Sequence, residues 1–527
     1  MNLNNLYNFK NPIKHFINVD SVILPEDIAS LDINNFSWVQ PFNFRVKKND
    51  DKFRTLKIPN ILNFVRAYEQ FKDSPDFEDI QNMDRECKRL SANIVTGDFD
   101  EGEYDRQLEG DFERLSIYDN MIKLDIKEYY GRIYTHDLGL DYENEKFIYN
   151  MNLGQTNGLL MGNYLSLYLA EKKLTEISND LKKGFEGLNI DYEFSYFSDD
   201  FYFFCNKGDN EHIINVFDKV LEKYGLERND SKKEIWTYET FNNYNLVARY
   251  WKKVIAHCNV RYKEDISYNK LYFINQIIYR ISKLQDDKLK KVFINNFFKT
   301  KYFRELNLDK YQIRNYDYHQ LCFILKFSPE AFLYAIDKFK EMESFEKGTL
   351  EKFLKVRYRS ALQQTFNDEQ LYYYYAIKIL DFEDIIKETS NLVLKSENQV
   401  LISYYLKDNM FGEEEINSLK KFDGEQYWFQ NYHMILYLDD LKMDLEESIE
   451  KYLMPKKATK DKQKVMYKSF YSNNINAKVS FIRDIADVNN KIRIYLELKA
   501  HESEAKFEVK NKSNTPIDCL LGDFKFV

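Results

Sequence analysis

Residues 191–206 read DYEFSYFSDDFYFFCN. Two adjacent carboxylates, Asp199 and Asp200, lie between two aromatic, apolar runs, which predicts a β-hairpin with Ser198, Asp199 and Asp200 at its turn. Adjacent acids in such surroundings are costly unless something compensates their charge. An Asx turn is the ordinary explanation of an isolated Asp-Asp at a hairpin tip. A divalent-metal site is the functional one, because Mg²⁺ takes one or two carboxylates together with substrate phosphates. The hairpin alone does not choose between them.

Upstream, residues 121–136 read MIKLDIKEYYGRIYTH. Ile122, Leu124 and Ile126 alternate with Lys123 and Asp125 as on a strand, and Asp125 ends the run, where a side chain can leave the sheet and face a cleft. Between the two acidic sites lies GLLMGNYLSLYLAE, residues 158–171. Gly162 permits close backbone approach to a ligand, and from Leu165 and Ser166 the pattern continues as a helix. Downstream, GLERNDSKKE (225–234) carries adjacent Lys232 and Lys233. Further upstream, FRVKKNDDKFRTLKIPN (44–60) is a basic, hairpin-like stretch with Lys47, Lys48, Lys52, Arg54 and Lys57, residues suited to hold a triphosphate.

These five blocks, in this order, resemble the fingers and palm of a reverse transcriptase. D-I-K-E-Y-Y is similar to the first palm motif, G-N-Y-L-S to the second, F-S-D-D to the Y-x-D-D box, N-D-S-K-K-E to the lysine motif that follows, and K-K-N-D-D-K-F-R-T-L-K-I-P to the triphosphate-binding fingers motif. The resemblance covers about residues 40–240. Within the family, Ile133–His136 (IYTH) and Leu169–Glu171 (LAE) look like the abortive-infection group typified by AbiK, among the unknown-group and defence-associated bacterial reverse transcriptases.

The resemblance implies an antiphage DNA polymerase that transfers nucleotides from dNTPs by two-metal chemistry, with two Mg²⁺ ions or Mn²⁺ in their place. Asp125 and Asp199 would bind both metals, Asp200 would support them, and the carbonyl of Ile126 would add an oxygen. Tyr130 stands at the steric-gate position, which excludes a ribose 2′-hydroxyl. Lys47 and Arg54 would hold the triphosphate, with Gly162 and Ser166 from the second motif beside them. Lys232 would protonate the leaving pyrophosphate, with Lys233 the alternative. The family also implies DNA synthesis primed on a protein tyrosine, either without a template or on a partner non-coding RNA, with the product attached covalently, and a homo-oligomer such as a trimer or hexamer. Three departures from the family pattern matter: Met161 and Leu160 replace a usual Gln and Pro, which stands against ordinary template handling; Phe197 replaces the Tyr of the box, which removes a hydroxyl near the primer end; and no primer-grip, ribonuclease H or integrase block follows, which stands against a retroelement.

The remaining sequence bounds these readings. Across 527 residues, 44% are apolar and 31% charged, which fits a folded chain of several domains. A net charge of −9 argues against a protein that coats nucleic acid through bulk charge, while leaving room for a local basic groove. The five cysteines form no CxxC pair, no apolar h-region opens the chain, and no run of about 18 apolar residues occurs. The expectation is a cytoplasmic protein without a membrane span.

The predicted fold class is α+β: a reverse-transcriptase-like fingers and palm domain over 1–255, then a large α-helical solenoid or bundle over 256–454 in place of the thumb. Ile274, Ile277, Ile278 and Ile281, and later Phe332, Leu333, Ile336 and Phe339, recur at helical spacing. The lysine-rich PKKATKDKQK, 455–464, reads as a linker or exposed loop. Beyond it, Ile492, Ile494, Leu496 and Leu498 alternate with polar residues, which predicts β structure in a C-terminal extension over 455–527.

Other readings stay open. His136 is a candidate acid–base group or a satisfied structural histidine. Arg314 and His319 match the R-x4-H spacing of HEPN ribonucleases, so a ribonuclease effector is one alternative and an RNA-binding scaffold with an inactive palm another. The run Tyr372–Tyr375 offers hydroxyls for priming, although most tyrosines in a chain with 41 of them serve packing.

Overall fold

The computed structural model describes residues 3–49, 52–72, 77, 80–91, 93, 103–245, 272–284, 286–300, 303–304, 315–340, 347–438, 441 and 443–512. Arg314, Cys258 and Cys519 lie outside them. The architecture is α+β, and the chain divides into two compact units. The first comprises residues 1–250, 358–371 and 384–483; the second comprises 251–357, 372–383 and 484–527.

The first unit is built on a four-stranded antiparallel sheet in the order β4-β5-β3-β6, made of β3 (Asn120–Asp125), β4 (Tyr192–Phe197), β5 (Asp200–Cys205) and β6 (Glu234–Trp236). In the aromatic run 201–204, Phe201, Phe203 and Phe204 are wholly buried and Tyr202 half-buried, so both faces of the sheet are covered, and this explains the nearly continuous hydrophobicity. Phe201 and Phe203 meet Phe217 of the helix Asn210–Lys223, and Phe203 also meets Phe185 of the helix Tyr164–Phe185. On the other face Phe204 joins a cluster with Leu108, Phe112 and Leu115 from the helix Glu103–Ile117. The predicted hairpin is present, with Phe197 paired to Asp200 across a two-residue turn.

A second antiparallel pair, β1 (Phe42–Lys47) and β2 (Phe53–Ile58), is the predicted basic hairpin. Later residues of the same unit anchor its base: the rings of Phe42 and Phe429 lie 5.2 Å apart, and the backbone N–H of Arg45 donates to Asn367 at 2.7 Å. The helix Asp461–Asn476 is tied to the N-terminal region as well, where Tyr467 donates to Asn63 and Asn60 to Tyr471.

Two expectations for the C-terminal part need correction. Residues 455–460 are an exposed loop at Lys456, Lys457, Thr459 and Lys460 but not a linker, since Ala458 is buried and Lys456 N–H donates to Glu425 at 3.0 Å, and the rest of the stretch is helical from Asp461. The predicted β structure at 492–498 is absent, because Ile485–Lys512 is one helix. Val488, Ile492 and Leu496 are buried, while Ile494 and Leu498 are 45% and 59% exposed. Alternation at every second position contains an i, i+4 series, and the helix uses that series.

The helical stripes in the second unit are present. Ile274, Ile277 and Ile281 are buried on the helix Tyr272–Lys283, as are Phe332, Leu333, Ile336 and Phe339 on Phe332–Lys340. Tyr372–Tyr375 are all buried, and Tyr375 donates to Asn489, which supports the packing role for this run. His319 is exposed on the helix Asn315–Phe327.

Candidate active site

β3 ends at Asp125, paired in register with Asp200. On this strand Ile122 and Leu124 are wholly buried, so Lys123 and Asp125 share the opposite face. The hairpin turns at Ser198 and Asp199, with Ser198 at φ 55°. The backbone N–H of Ile126 donates to the carbonyl of Asp199 at 3.0 Å, which brings the tip of the turn to the end of β3. Asp125 and Asp199 therefore line one cavity of about 550 Å³, within the size range of small-molecule sites, about 300–1,000 Å³.

Asp125 is only 2% exposed, and both of its carboxylate oxygens have donors. Asn229 donates to Oδ1 at 2.8 Å, and the Lys232 ammonium pairs with Oδ2. The backbone N–H of Asn229 also reaches the Asp125 carbonyl at 2.7 Å, and Ser231 donates to the Asn229 side chain at 2.8 Å. Sequence reasoning gave Asn229 no role. It stands beside Lys232 in the quoted block, but nothing local ties it to a carboxylate 104 positions earlier. Between Lys232 and Lys233, it is Lys232 that lines the cavity and contacts Asp125.

Asp200 faces a different partner. Its Oδ2 lies 3.4 Å from Lys123 Nζ. Burial pushes its carboxyl above the usual range, Lys123 opposes that shift, and the charges of Asp199 and Asp125 add to it.

Tyr129 and Tyr130 both line the cavity with Asp125, and Tyr129, almost wholly buried, donates to the Ala170 carbonyl at 2.7 Å. Burial, then the charges of Glu171 and Asp199, push the Tyr130 hydroxyl well above its ordinary value, so it stays protonated. Basic groups line the same cavity: Lys10, Lys48, Arg54 and Lys232. Lys47 is a correction. Its ammonium lies 3.1 Å from Glu369 and above the Phe366 ring, almost wholly buried, because strand alternation turns it away from the side on which Lys48 continues.

Gly162 has φ 115°, and a Cβ there would collide with the Asn8 side chain. The close approach expected at this glycine is thus made by the chain itself: Phe9 N–H donates to the Gly162 carbonyl at 3.0 Å. Ser166 is buried in the first turn of the helix Tyr164–Phe185, where its N–H is capped by Asn163 at 2.9 Å, and it is not among the residues that line the cavity. His136 also lies outside the cavity. Its Nδ1 sits 2.6 Å from Glu145, which accepts from Thr135 at 2.7 Å, so the structural reading of this histidine is the one supported.

Among the described residues no group of three or more His, Cys, Asp or Glu side chains could hold a metal ion by itself. Asp125, Asp199 and Ile126 do line one cavity, and two carboxylates with a carbonyl are the hard-oxygen donor set that Mg²⁺ accepts when phosphate oxygens complete its shell. The residues fit a metal that arrives with a phosphorylated ligand.

No family model matches the sequence, and no curated protein does. Solved structures similar to this chain include telomerase from Candida albicans in complex with a TWJ fragment of telomeric RNA, at a TM-score of 0.31 and 11% identity, over 79% of this chain and 66% of that one. Telomerase from Candida tropicalis, also with a TWJ fragment, gives a TM-score of 0.27 and 13% identity over 68% and 62%. The chain spans just under two thirds of the length of these telomerases. Likeness at this level assigns no family, and the functional reading rests on the cavity.

Proposed function

We propose that this chain is a reverse-transcriptase-type DNA polymerase with a dNTP-binding cavity between a palm-like sheet and a basic fingers-like hairpin. The observation that carries the reading is the juxtaposition of two carboxylates from separate strand ends, Asp125 and Asp199, with Lys48 and Arg54 in one cavity. Opposite charges arranged this way suit a triphosphate, whose oxygens need cationic partners at one end and a metal at the other. Asp125, Asp199 and the Ile126 carbonyl would hold Mg²⁺. When bound, the metal would polarise the α-phosphate and stabilise the pyrophosphate that leaves.

The chain's own residues do the rest. Lys48 and Arg54 bind the β- and γ-phosphates. Tyr130, held in the cavity by the Leu159 N–H bond to its carbonyl at 2.8 Å, packs against the sugar and leaves no room for a 2′-hydroxyl. Lys232, paired with Asp125, would donate to the leaving group. The finer reading, an antiphage enzyme working as a homo-oligomer, with synthesis primed on a protein tyrosine and independent of a template or guided by a partner RNA, rests on the resemblance of Ile133–His136 and Leu169–Glu171 to the abortive-infection group.

The experiment is nucleotide incorporation by the purified chain with Mg²⁺ and each labelled dNTP separately, with and without nuclease pretreatment, read on a denaturing protein gel. Label that stays on the polypeptide and vanishes in Asp199→Ala supports protein-primed polymerisation. Absence of incorporation under every condition, with no co-purifying RNA, sinks the reading.

A further inference from the structure

Glu171 is a buried carboxylate that the reaction outlined above does not use. It lies on the helix Tyr164–Phe185, is 6% exposed, and lines the same cavity as Asp125 and Tyr130. Its Oε2 has no hydrogen-bond partner among the described residues. Lys88 forms a buried ion pair with it at 3.7 Å, longer than a hydrogen bond, and the same ammonium also donates to the Ile80 carbonyl. A buried carboxylate oxygen left without a donor is destabilising, and such groups persist in native structures where a ligand or water completes them.

The position of Glu171 says which ligand group that is. The bond from Tyr129 to the Ala170 carbonyl docks the Tyr129–Tyr130 turn on this helix next to Glu171. Glu171 is the largest charge acting on the Tyr130 hydroxyl, ahead of Asp199. The phosphate-binding cations Lys48 and Arg54 come from the hairpin, and the metal-binding carboxylates from the strand ends. A nucleotide laid between them puts its sugar against Tyr130, and the donors a sugar presents are hydroxyls.

We propose that Glu171 recognises the 3′-hydroxyl of the incoming deoxynucleotide, accepting a hydrogen bond at Oε2; this rests on the polymerase reading of the cavity. Tyr130 then excludes a hydroxyl at the 2′ position while Glu171 requires one at the 3′ position. The site rejects 3′-deoxynucleotides because they leave a buried acceptor unpaired.

The test is equilibrium binding of dTTP, 2′,3′-dideoxy-TTP and UTP to the full chain, with Ca²⁺ replacing Mg²⁺ so that no turnover occurs. The native chain should bind dTTP about tenfold more tightly than the dideoxy analogue. Glu171→Ala should abolish that preference, and Glu171→Gln, which keeps an acceptor oxygen and the side-chain volume, should retain part of it. Equal binding of dTTP and its dideoxy analogue by the native chain overturns the proposal alone, without any variant that has to fold. So does a preference that survives Glu171→Ala, or a preference for UTP that this variant removes. Failure of all three nucleotides to bind overturns the polymerase reading and this proposal with it.

Discussion

The ammonium of Lys232 rests on Oδ2 of Asp125, a carboxylate that is only 2% exposed. The contact joins the loop after the helix Asn210–Lys223 to the end of β3, and it places the candidate proton donor on a candidate metal ligand. Lys232→Ala should lower the incorporation rate by about 10²–10⁴-fold, the usual range for losing a positioned acid. Lys233→Ala should leave it within a few fold. Single-turnover incorporation with saturating dNTP measures both, and equal effects would remove Lys232 from the mechanism.

Asn229 positions Asp125 from the other side, through Oδ1 and through the strand carbonyl. Groups that orient a metal ligand typically contribute about 10–100-fold to activity or metal affinity. Asn229→Ala should therefore raise the Mg²⁺ concentration needed for half-maximal incorporation, and it should cost about 1–3 kcal/mol of stability because a buried Asp125 oxygen loses its donor. A Mg²⁺ titration of wild type and variant decides it.

Lys47 and Lys48 are adjacent in sequence but should fail in different ways. Lys47 is in a buried pair with Glu369 at 3.1 Å, with side chains 9% and 4% exposed. Removing one partner of a buried pair costs about 3–5 kcal/mol, so Lys47→Met should unfold at markedly lower denaturant. Lys48→Met should keep native stability and raise KM for dNTP about tenfold, the loss of one charge-assisted bond. Denaturant melts and KM values for both variants provide the check.

Gly162→Ala combines two costs, the left-handed backbone at φ 115° and the collision with Asn8. A loss of about 1–3 kcal/mol is expected from the backbone strain alone. Adding Asn8→Ala should relieve the collision and leave the strain, so the double variant should regain part of the stability and not all of it.

Burial pushes the Glu171 carboxyl up from 4.5 to about 7, Lys88 opposes the shift, and Asp84 adds to it. The folded chain then keeps a proton that the unfolded chain loses near its ordinary value. Stability falls as pH rises between these two values, by up to about 3 kcal/mol from this group, and the contribution is constant outside them. In Glu171→Gln the difference in unfolding free energy between pH 4.5 and pH 7.5 should shrink by a comparable amount.

Much of this was legible in the sequence. Alternation at 122–126, the aromatic runs around Asp199 and Asp200, and the basic stretch at 44–60 each specify a local element, because side-chain periodicity and turn chemistry act over a few residues. The order of the blocks singles out Asp125 and Asp199 as one set. Where two periodicities coincide, as at 492–498, local pattern is ambiguous, and burial of Val488, Ile492 and Leu496 settled it. What only the tertiary structure decided depends on residues remote in sequence. Glu369 takes Lys47 out of the cavity, Asn8 fills the space above Gly162, Asn229 and Lys232 converge on Asp125, and Glu171 keeps an oxygen without a hydrogen bond in the cavity that Tyr130 lines. Which groups share a low-dielectric cavity, and which are neutralised elsewhere, follows from three-dimensional proximity, and the chain's local pattern does not encode it.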